Sequence, residues 1–167
     1  MALQTERLKM PLLAAAQAQK EVTHNEAIAL ADIAIQAVVQ AVAPPTVPVS
    51  PAIGQCWVIG IAPTGAWAGR AGQIAAWTSG GWRYVAPFEG MHVWSIADAT
   101  IVRRTAAAWV TGALTASSVS INGQQIIAAR QPRVIPPTGG SVVDVQARAA
   151  IAMLIAGLES HGLFSAT

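Results

Sequence analysis

Acidic and histidine side chains are the residues of this sequence that could act as general acids or bases. Glu89 and Asp98 are the carboxylates that stand among the central aromatic residues, and a glycoside hydrolase needs such a pair flanking the scissile bond. Glu89 precedes a glycine and Asp98 stands between alanines, contexts typical of turns. A small glycan hydrolase that uses these acids and His92 is therefore one alternative, but we expect no enzymatic activity.

The histidines and the single cysteine have no spacing typical of a metal site. His24, His92 and His161 are far apart, whereas zinc motifs place their ligands a few residues apart. A lone cysteine, Cys56, excludes an internal disulfide and a cysteine metal cluster. The sequence also has no phosphate loop, nucleophile elbow or dinucleotide fingerprint. We therefore predict neither a metal nor a cofactor.

All six tryptophans and the only tyrosine lie between Gly54 and Gly112. Large aromatic side chains usually form a core, but exposed rings beside arginines can also stack on sugars. Both interpretations stay open for this stretch. The residues that we regard as candidate glycan contacts are Trp67, Arg70, Trp77, Trp82, Arg83 and Tyr84.

Three segments of this stretch repeat one pattern, in which tryptophans or aliphatic residues flank a turn of small residues. The segments are Trp57 to Trp67, Ile74 to Val85 and Ile101 to Val110. We predict that each one forms a β-hairpin with paired aromatic side chains across the strands.

The composition favours a chain that associates with itself. Hydrophobic residues make up 53% and charged residues 11%, yet no apolar run reaches the roughly 18 residues of a membrane span. Early charges at Glu6, Arg7 and Lys9 argue against a signal peptide. The net charge of +2 is too small for a typical nucleic-acid-binding surface. We expect a homo-oligomer that inserts in no membrane and binds no nucleic acid.

A helix ending near Val42, before two prolines, is predicted in the N-terminal part of the chain. It would carry an apolar seam with the 3-4 spacing of a coiled coil, which favours self-association and, because of its β-branched residues, a trimer. Packing of this helix on its own β-module is the alternative. The seam residues are Ile28, Ala31, Ile35, Val38 and Val42.

The predicted fold class is α+β, in five segments. An N-terminal helical oligomerisation segment (1–43) precedes a proline-rich linker (44–53) and the tryptophan-rich antiparallel β-module (54–112). A β-hairpin around Asn122-Gly123 and a second linker follow (113–140). The last segment (141–167) is a C-terminal helix that begins at Ser141 or Asp144 and stops at Gly162. Its helical spacing places Ile151, Leu154, Ile155 and Leu158 on one face.

Residues 16–27, and residues 65–77 with Gly81-Trp82, form motifs that resemble an uncharacterised domain family found in tail-fibre-like proteins of bacterial prophages and gene transfer agents. The first motif is Ala16-Gln17-Ala18-Gln19-Lys20-Glu21-Val22-Thr23-His24-Asn25-Glu26-Ala27. The second runs from Gly65 to Trp77 and continues at Gly81-Trp82, and the segments 122–125, 129–131, 147–151 and 161–163 resemble the ends of such phage proteins. The resemblance covers nearly the whole chain and implies a structural role in a virion tail. It implies no catalytic residues.

Two hypotheses follow for the function. In the first, the chain is a tail-fibre or baseplate subunit that assembles with itself and with other tail proteins and helps the particle attach to its host. It would then be made in the bacterial cytoplasm and incorporated in a phage-like particle. In the second, the tryptophan module is a receptor-binding domain for a cell-surface glycan, whose acidic groups the arginines contact.

Overall fold

A computed structural model describes residues 3–14 and 20–165, and the observed class is α+β, as predicted. The chain divides into two compact units, Met1–Leu114 and Thr115–Thr167, which we call unit 1 and unit 2. In chain order the elements are α1 (Lys20–Ala34), β1 (Val38–Val39), β2 (Cys56–Val58), a 3-10 turn (Gly65–Trp67), β3 (Ile74–Thr78), β4 (Gly81–Val85), β5 (His92–Ser95), β6 (Thr100–Arg104), β7 (Trp109–Thr111), β8 (Val119–Ile121), β9 (Gln124–Ile127) and α2 (Val145–Ser160).

Unit 1 contains two sheets. Strands β2, β3 and β4 form an antiparallel sheet in that order, and the other sheet has the order β1-β5-β6-β7. The pairs β5–β6 and β6–β7 are antiparallel, whereas β1 runs parallel to β5. The short strand β1 therefore connects the end of helix α1 to the second sheet.

The β2–β3–β4 sheet is covered on both faces because successive side chains of a strand point to opposite sides. Cys56, Val58, Ile74 and Ala76 belong to the main core, which also includes Ile33 of α1 and the inner residues of the second sheet. The alternate positions of the same strands contribute to a second cluster rich in tryptophan. This double burial explains why β2 and the start of β3 are continuously apolar.

Two of the three predicted hairpins of the tryptophan stretch are confirmed. Strands β3 and β4 pair with Trp77 opposite Trp82, and β6 pairs with β7. The prediction for Trp57 to Trp67 was wrong, since β2 pairs instead with the following strand β3 and Trp67 ends the 3-10 turn. In this segment the chain leaves the strand after Val58 and reaches Trp67 through the 3-10 turn, so it contains no second strand.

Helix α1 ends at Ala34, eight residues before the predicted end at Val42. Gln36 has a φ angle of 46°, a left-handed conformation that a helix cannot continue through. The guanidinium of Arg7 donates hydrogen bonds to a carbonyl of the last helical turn, that of Ile33 at 3.2 Å, and to one just beyond the helix, that of Ile35 at 3.3 Å. These contacts end the helix before it reaches the two prolines at 44 and 45. The residues between the helix and the prolines can therefore form β1.

The carboxylate of Asp32 anchors the N-terminal loop, by which we mean residues 3–12. Asp32 is only 3% exposed, and it accepts hydrogen bonds from the Thr5 hydroxyl at 2.9 Å and the Leu8 backbone N–H at 2.7 Å. The Arg7 backbone N–H binds the second oxygen at 3.0 Å. Three donors therefore satisfy a charge that would otherwise be costly to bury.

Unit 2 consists of the β8–β9 hairpin, an extended segment and α2. The hairpin turn at Asn122-Gly123 is confirmed, and both residues have positive φ angles, 50° and 77°, as a tight two-residue turn requires. Asp144 caps α2 by accepting a hydrogen bond from the Ala147 N–H at 2.9 Å. In the described part of the chain, neither helix combines the length and the apolar character of a membrane span.

Replacing Asp32 by Asn tests the role of the buried carboxylate. The amide keeps one acceptor oxygen but turns an NH₂ group toward a donor, so we expect the free energy of unfolding to fall by about 3 kcal/mol. Urea denaturation measures this change. The control is Glu89→Gln at an exposed turn, which we expect to change stability by less than about 0.5 kcal/mol. Equal stabilities for the two variants would contradict the anchoring role.

Candidate binding sites

Four tryptophans of unit 1 pack against one another. They do not form a flat platform on which a sugar could stack. Trp82 lies at the centre, with ring centroids 5.7 Å from Trp57, 5.3 Å from Trp67 and 5.1 Å from Trp77. The planes of these pairs are inclined by 64° to 78°, the edge-to-face arrangement that aromatic pairs favour. The cluster therefore holds the β2–β3–β4 sheet and the 3-10 turn together.

The structure brings five of the six candidate glycan contacts to one side of this sheet. Trp67 is buried, Trp77 and Trp82 are half-buried, and the guanidinium of Arg70 lies 4.8 Å from the centre of the Tyr84 ring. Arg83 lies on the opposite face of β4, where its Nε is 2.9 Å from the Glu26 carboxylate of α1. The six residues therefore do not form one surface.

Two polar groups belong to the tryptophan cluster, one of them buried and the other at its edge. The indole N–H of Trp67 is buried and has no acceptor within the described residues. The Tyr84 hydroxyl donates to the Ala66 carbonyl at 2.6 Å. Burial raises the pKa of the Tyr84 hydroxyl above its ordinary value, and the nearby charge of Arg70 opposes this effect. Tyr84 is thus a neutral donor that ties the 3-10 turn to β4.

The predicted oligomerisation residues do not form one helical seam. Ile28 and Ala31 lie on α1, and Ile35 follows its last residue. Val38 lies in strand β1, and Val42 forms an isolated bridge to Val58. The 3-4 spacing exists in the sequence, but the backbone changes from helix to strand in the middle of it.

The acids considered for catalysis are placed apart. Glu89 precedes β5 and Asp98 follows it, so the two lie in turns at opposite ends of this strand. Asp98 accepts a hydrogen bond from the Ser95 hydroxyl at 2.6 Å. Within the described residues, no group of three or more His, Cys, Asp or Glu side chains could hold a metal ion.

Sequence reasoning missed a cleft of about 310 Å³ between the N-terminal loop, α1 and the β3–β4 turn. We call it the N-terminal cleft. Its polar lining includes Gln4, Glu6, Glu26 and Arg83, and Val22 and Ala76 contribute to its apolar lining. These residues come from four separate parts of the chain, so no local motif could have indicated the cleft.

A second surface, on unit 2, is apolar. The α2 face, which we define as Ile151, Leu154 and Leu158, is solvent-accessible, and Leu154 is 67% exposed. Ile155 is the one side chain of unit 2 that is buried in the described structure, at 8% exposure. The helix prediction did identify these four residues, because they share one face at helical spacing.

Cys56 is fully buried and burial raises its pKa to about 11, with the charge of Arg7 acting in the opposite direction. The thiolate, which is the reactive form, is therefore scarce at any pH well below 11. We predict that a thiol-reactive disulfide reagent at pH 8 modifies Cys56 only when the protein unfolds. Absorbance measurements with and without denaturant test this, and rapid labelling of the folded protein would contradict the burial.

Replacing Trp82 by Ala tests the central position of that ring. It removes the partner of three tryptophans, so we expect the free energy of unfolding to fall by about 3 kcal/mol in chemical denaturation. Trp94→Ala is a matched control, since Trp94 is 44% exposed and lies outside the cluster. The control should cost less than about 1 kcal/mol. A larger loss for the control would mean that the cluster does not stabilise unit 1.

Comparison with known proteins places the tryptophan cluster within a family. No curated protein matches this chain. The pattern that defines the family DUF2793, described as "Protein of unknown function", matches residues 24–110, from α1 into β7. The match includes every tryptophan and both sheets of unit 1. Because it covers more than half of the sequence, the chain belongs to the DUF2793 family.

Proposed function

We propose that this protein is a structural subunit of a phage-type virion, part of a tail fibre or baseplate. In this proposal it assembles with copies of itself and with other tail proteins, and helps the particle attach to its host. The observation that carries the assembly part is the exposed α2 face of unit 2. The virion location is supported by the sequence motifs that resemble tail-fibre-like proteins.

Unit 2 buries little apolar surface within its described residues. It has about fifty residues, and units of this size bury barely enough surface to fold alone. Only Ile155 is buried in its described part, while Met153 and Leu154 are about 70% and 67% exposed. A hydrophobic surface of this kind is typical of an association site.

The charges of α2 are directed away from the α2 face. Arg148 donates to the carbonyls of Pro137, at 3.2 Å, and Gly139. Glu159 forms an ion pair with Arg133 at 3.4 Å. No charged residue occurs between Arg148 and Glu159. The α2 face of a second copy of this chain could therefore pack against this face without burying an unpaired charge.

The spacing of the α2 face also suits a helix bundle. Ile151, Leu154 and Leu158 follow the 3-4 spacing of a coiled-coil seam. We therefore assign to α2 the self-association that the sequence suggested for the N-terminal helix. A trimer remains the proposed stoichiometry.

The second motif of the resemblance coincides with structurally important residues. Trp67, Trp77 and Trp82 of this motif are members of the tryptophan cluster. The motif therefore has a structural explanation that would apply to every protein with the same packing. This supports a shared fold with the tail-fibre-like proteins that the sequence resembles, and we extend the likeness to their structural role.

Replacing Leu154 by Glu tests the proposed assembly. A carboxylate on the α2 face would have to be buried without a partner, so we expect the oligomer to dissociate to single chains at micromolar concentration. Light scattering measures the mass in solution. Val142→Glu is the control, because Val142 is 86% exposed and lies outside α2; it should leave the mass unchanged. A wild-type protein that is monomeric at every concentration would refute the assembly proposal.

A further inference from the structure

We propose that the N-terminal cleft of unit 1 is a binding site for a neutral saccharide. This site is separate from the α2 face and does not require the chain to assemble. It also differs from the glycan surface that the sequence suggested, because most of its polar groups come from the N-terminal loop and α1.

The walls of the cleft are fixed by hydrogen bonds between distant parts of the chain. The Ser79 N–H donates to the Glu6 carboxylate at 3.0 Å, which joins the N-terminal loop to the β3–β4 turn. Arg83 and Glu26 join β4 to α1 at 2.9 Å. The Asn25 side chain holds the loop end through two bonds to the Leu13 backbone, of 2.9 and 3.0 Å. A site with pre-formed walls spends less free energy on ordering when a ligand binds.

Several polar groups of the cleft keep hydrogen-bonding capacity. Glu6 and Glu26 each use one carboxylate oxygen in the bonds above, and no protein hydrogen bond to the other oxygen occurs in the described part of the chain. The side-chain amide of Gln4, an exposed residue, likewise makes no protein hydrogen bond in the described part of the chain. The two carboxylates supply acceptors at fixed positions, and the Gln4 amide adds a donor and an acceptor. Such a set suits a ligand with several hydroxyl groups.

One wall of the cleft is apolar. Leu12 of the N-terminal loop, Ala29 of α1 and Ala76 of β3 contribute aliphatic surface. Val22 and Ile33 of α1 also line the cleft. Apolar surface next to a few fixed polar groups is the usual composition of a small-molecule site. A pyranose ring presents the matching pair of surfaces, an apolar face and a hydroxyl edge.

The charges in the cleft argue against an acidic ligand. The lining contains Glu6, Glu26 and Asp32 together with Arg7 and Arg83. Asp32 is satisfied by three donors and the Arg7 guanidinium by main-chain carbonyls. Arg83 balances Glu26, so the charge of Glu6 remains. An anion would be repelled, whereas a neutral sugar would offer hydroxyl donors to that carboxylate.

Saturation-transfer NMR on the full chain tests the site directly. The probes are methyl glycosides of glucose, galactose, mannose and N-acetylglucosamine, with N-acetylneuraminic acid as the acidic sugar and spermidine as the cation. We expect saturation of the ring protons of at least one neutral sugar. In Glu6→Gln and Glu26→Gln we expect binding about tenfold weaker, because a hydrogen bond to a charged acceptor is lost.

The design separates loss of binding from loss of fold. Glutamine keeps an oxygen that can still accept from Ser79 or Arg83, so the thermal midpoints should match wild type. Glu89→Gln, at an exposed site outside the cleft, is the control and should bind as wild type does. Saturation of no sugar, or equal binding by all variants, would overturn the proposal. Binding of spermidine or of the acidic sugar alone, sensitive to Glu6 and Glu26, would overturn the ligand class.

These outcomes do not depend on the mass of the protein in solution. A monomer that binds a neutral sugar would refute the assembly proposal and support the cleft. An oligomer that binds no sugar would support the assembly proposal and refute the saccharide site.

Discussion

The hydrogen bonds between Asp32 and the N-terminal loop are the interaction on which the rest of unit 1 depends. The loop that this carboxylate holds also brings the Arg7 guanidinium to the end of α1. The helix stops there, and the next residues pair with β5 as the strand β1. The same loop forms one wall of the N-terminal cleft. One buried carboxylate thus connects the helix, the second sheet and the cleft.

Local patterns predicted those parts of the fold that local interactions determine. The hairpin of β3 and β4, with Trp77 opposite Trp82, follows from strand residues on both sides of a small-residue turn. The α2 helix follows from its capping aspartate and its apolar spacing. The end of α1 could not be predicted in this way, since Arg7 acts across 26 residues at Ile33. The predicted coiled-coil seam assumes one continuous helix. In the structure this helix ends at Ala34, where Arg7 caps it from a distant part of the sequence.

The candidate sites show the same difference. The aromatic residues drew attention because of their type, and most of them stabilise the sheet from within. The N-terminal cleft joins Gln4, Glu26 and Arg83, whose proximity arises only when the loop, α1 and β4 pack together. The spacing of apolar residues in the sequence predicted the α2 face, but it could not predict that this face is exposed. The two units therefore offer different chemistry: a polar cleft with an aliphatic wall on unit 1, and on unit 2 an apolar helix face without charged residues.

In our proposal, unit 2 needs a second chain to cover α2. Amide hydrogen exchange of α2 at a series of protein concentrations measures this most directly, because helical amides exchange through local opening. If copies of the chain cover the helix, its amides will be protected at high concentration and will exchange faster on dilution, while those of β2 and β3 do not change. Protection of α2 that is independent of concentration would contradict the account, since no second chain would then be needed.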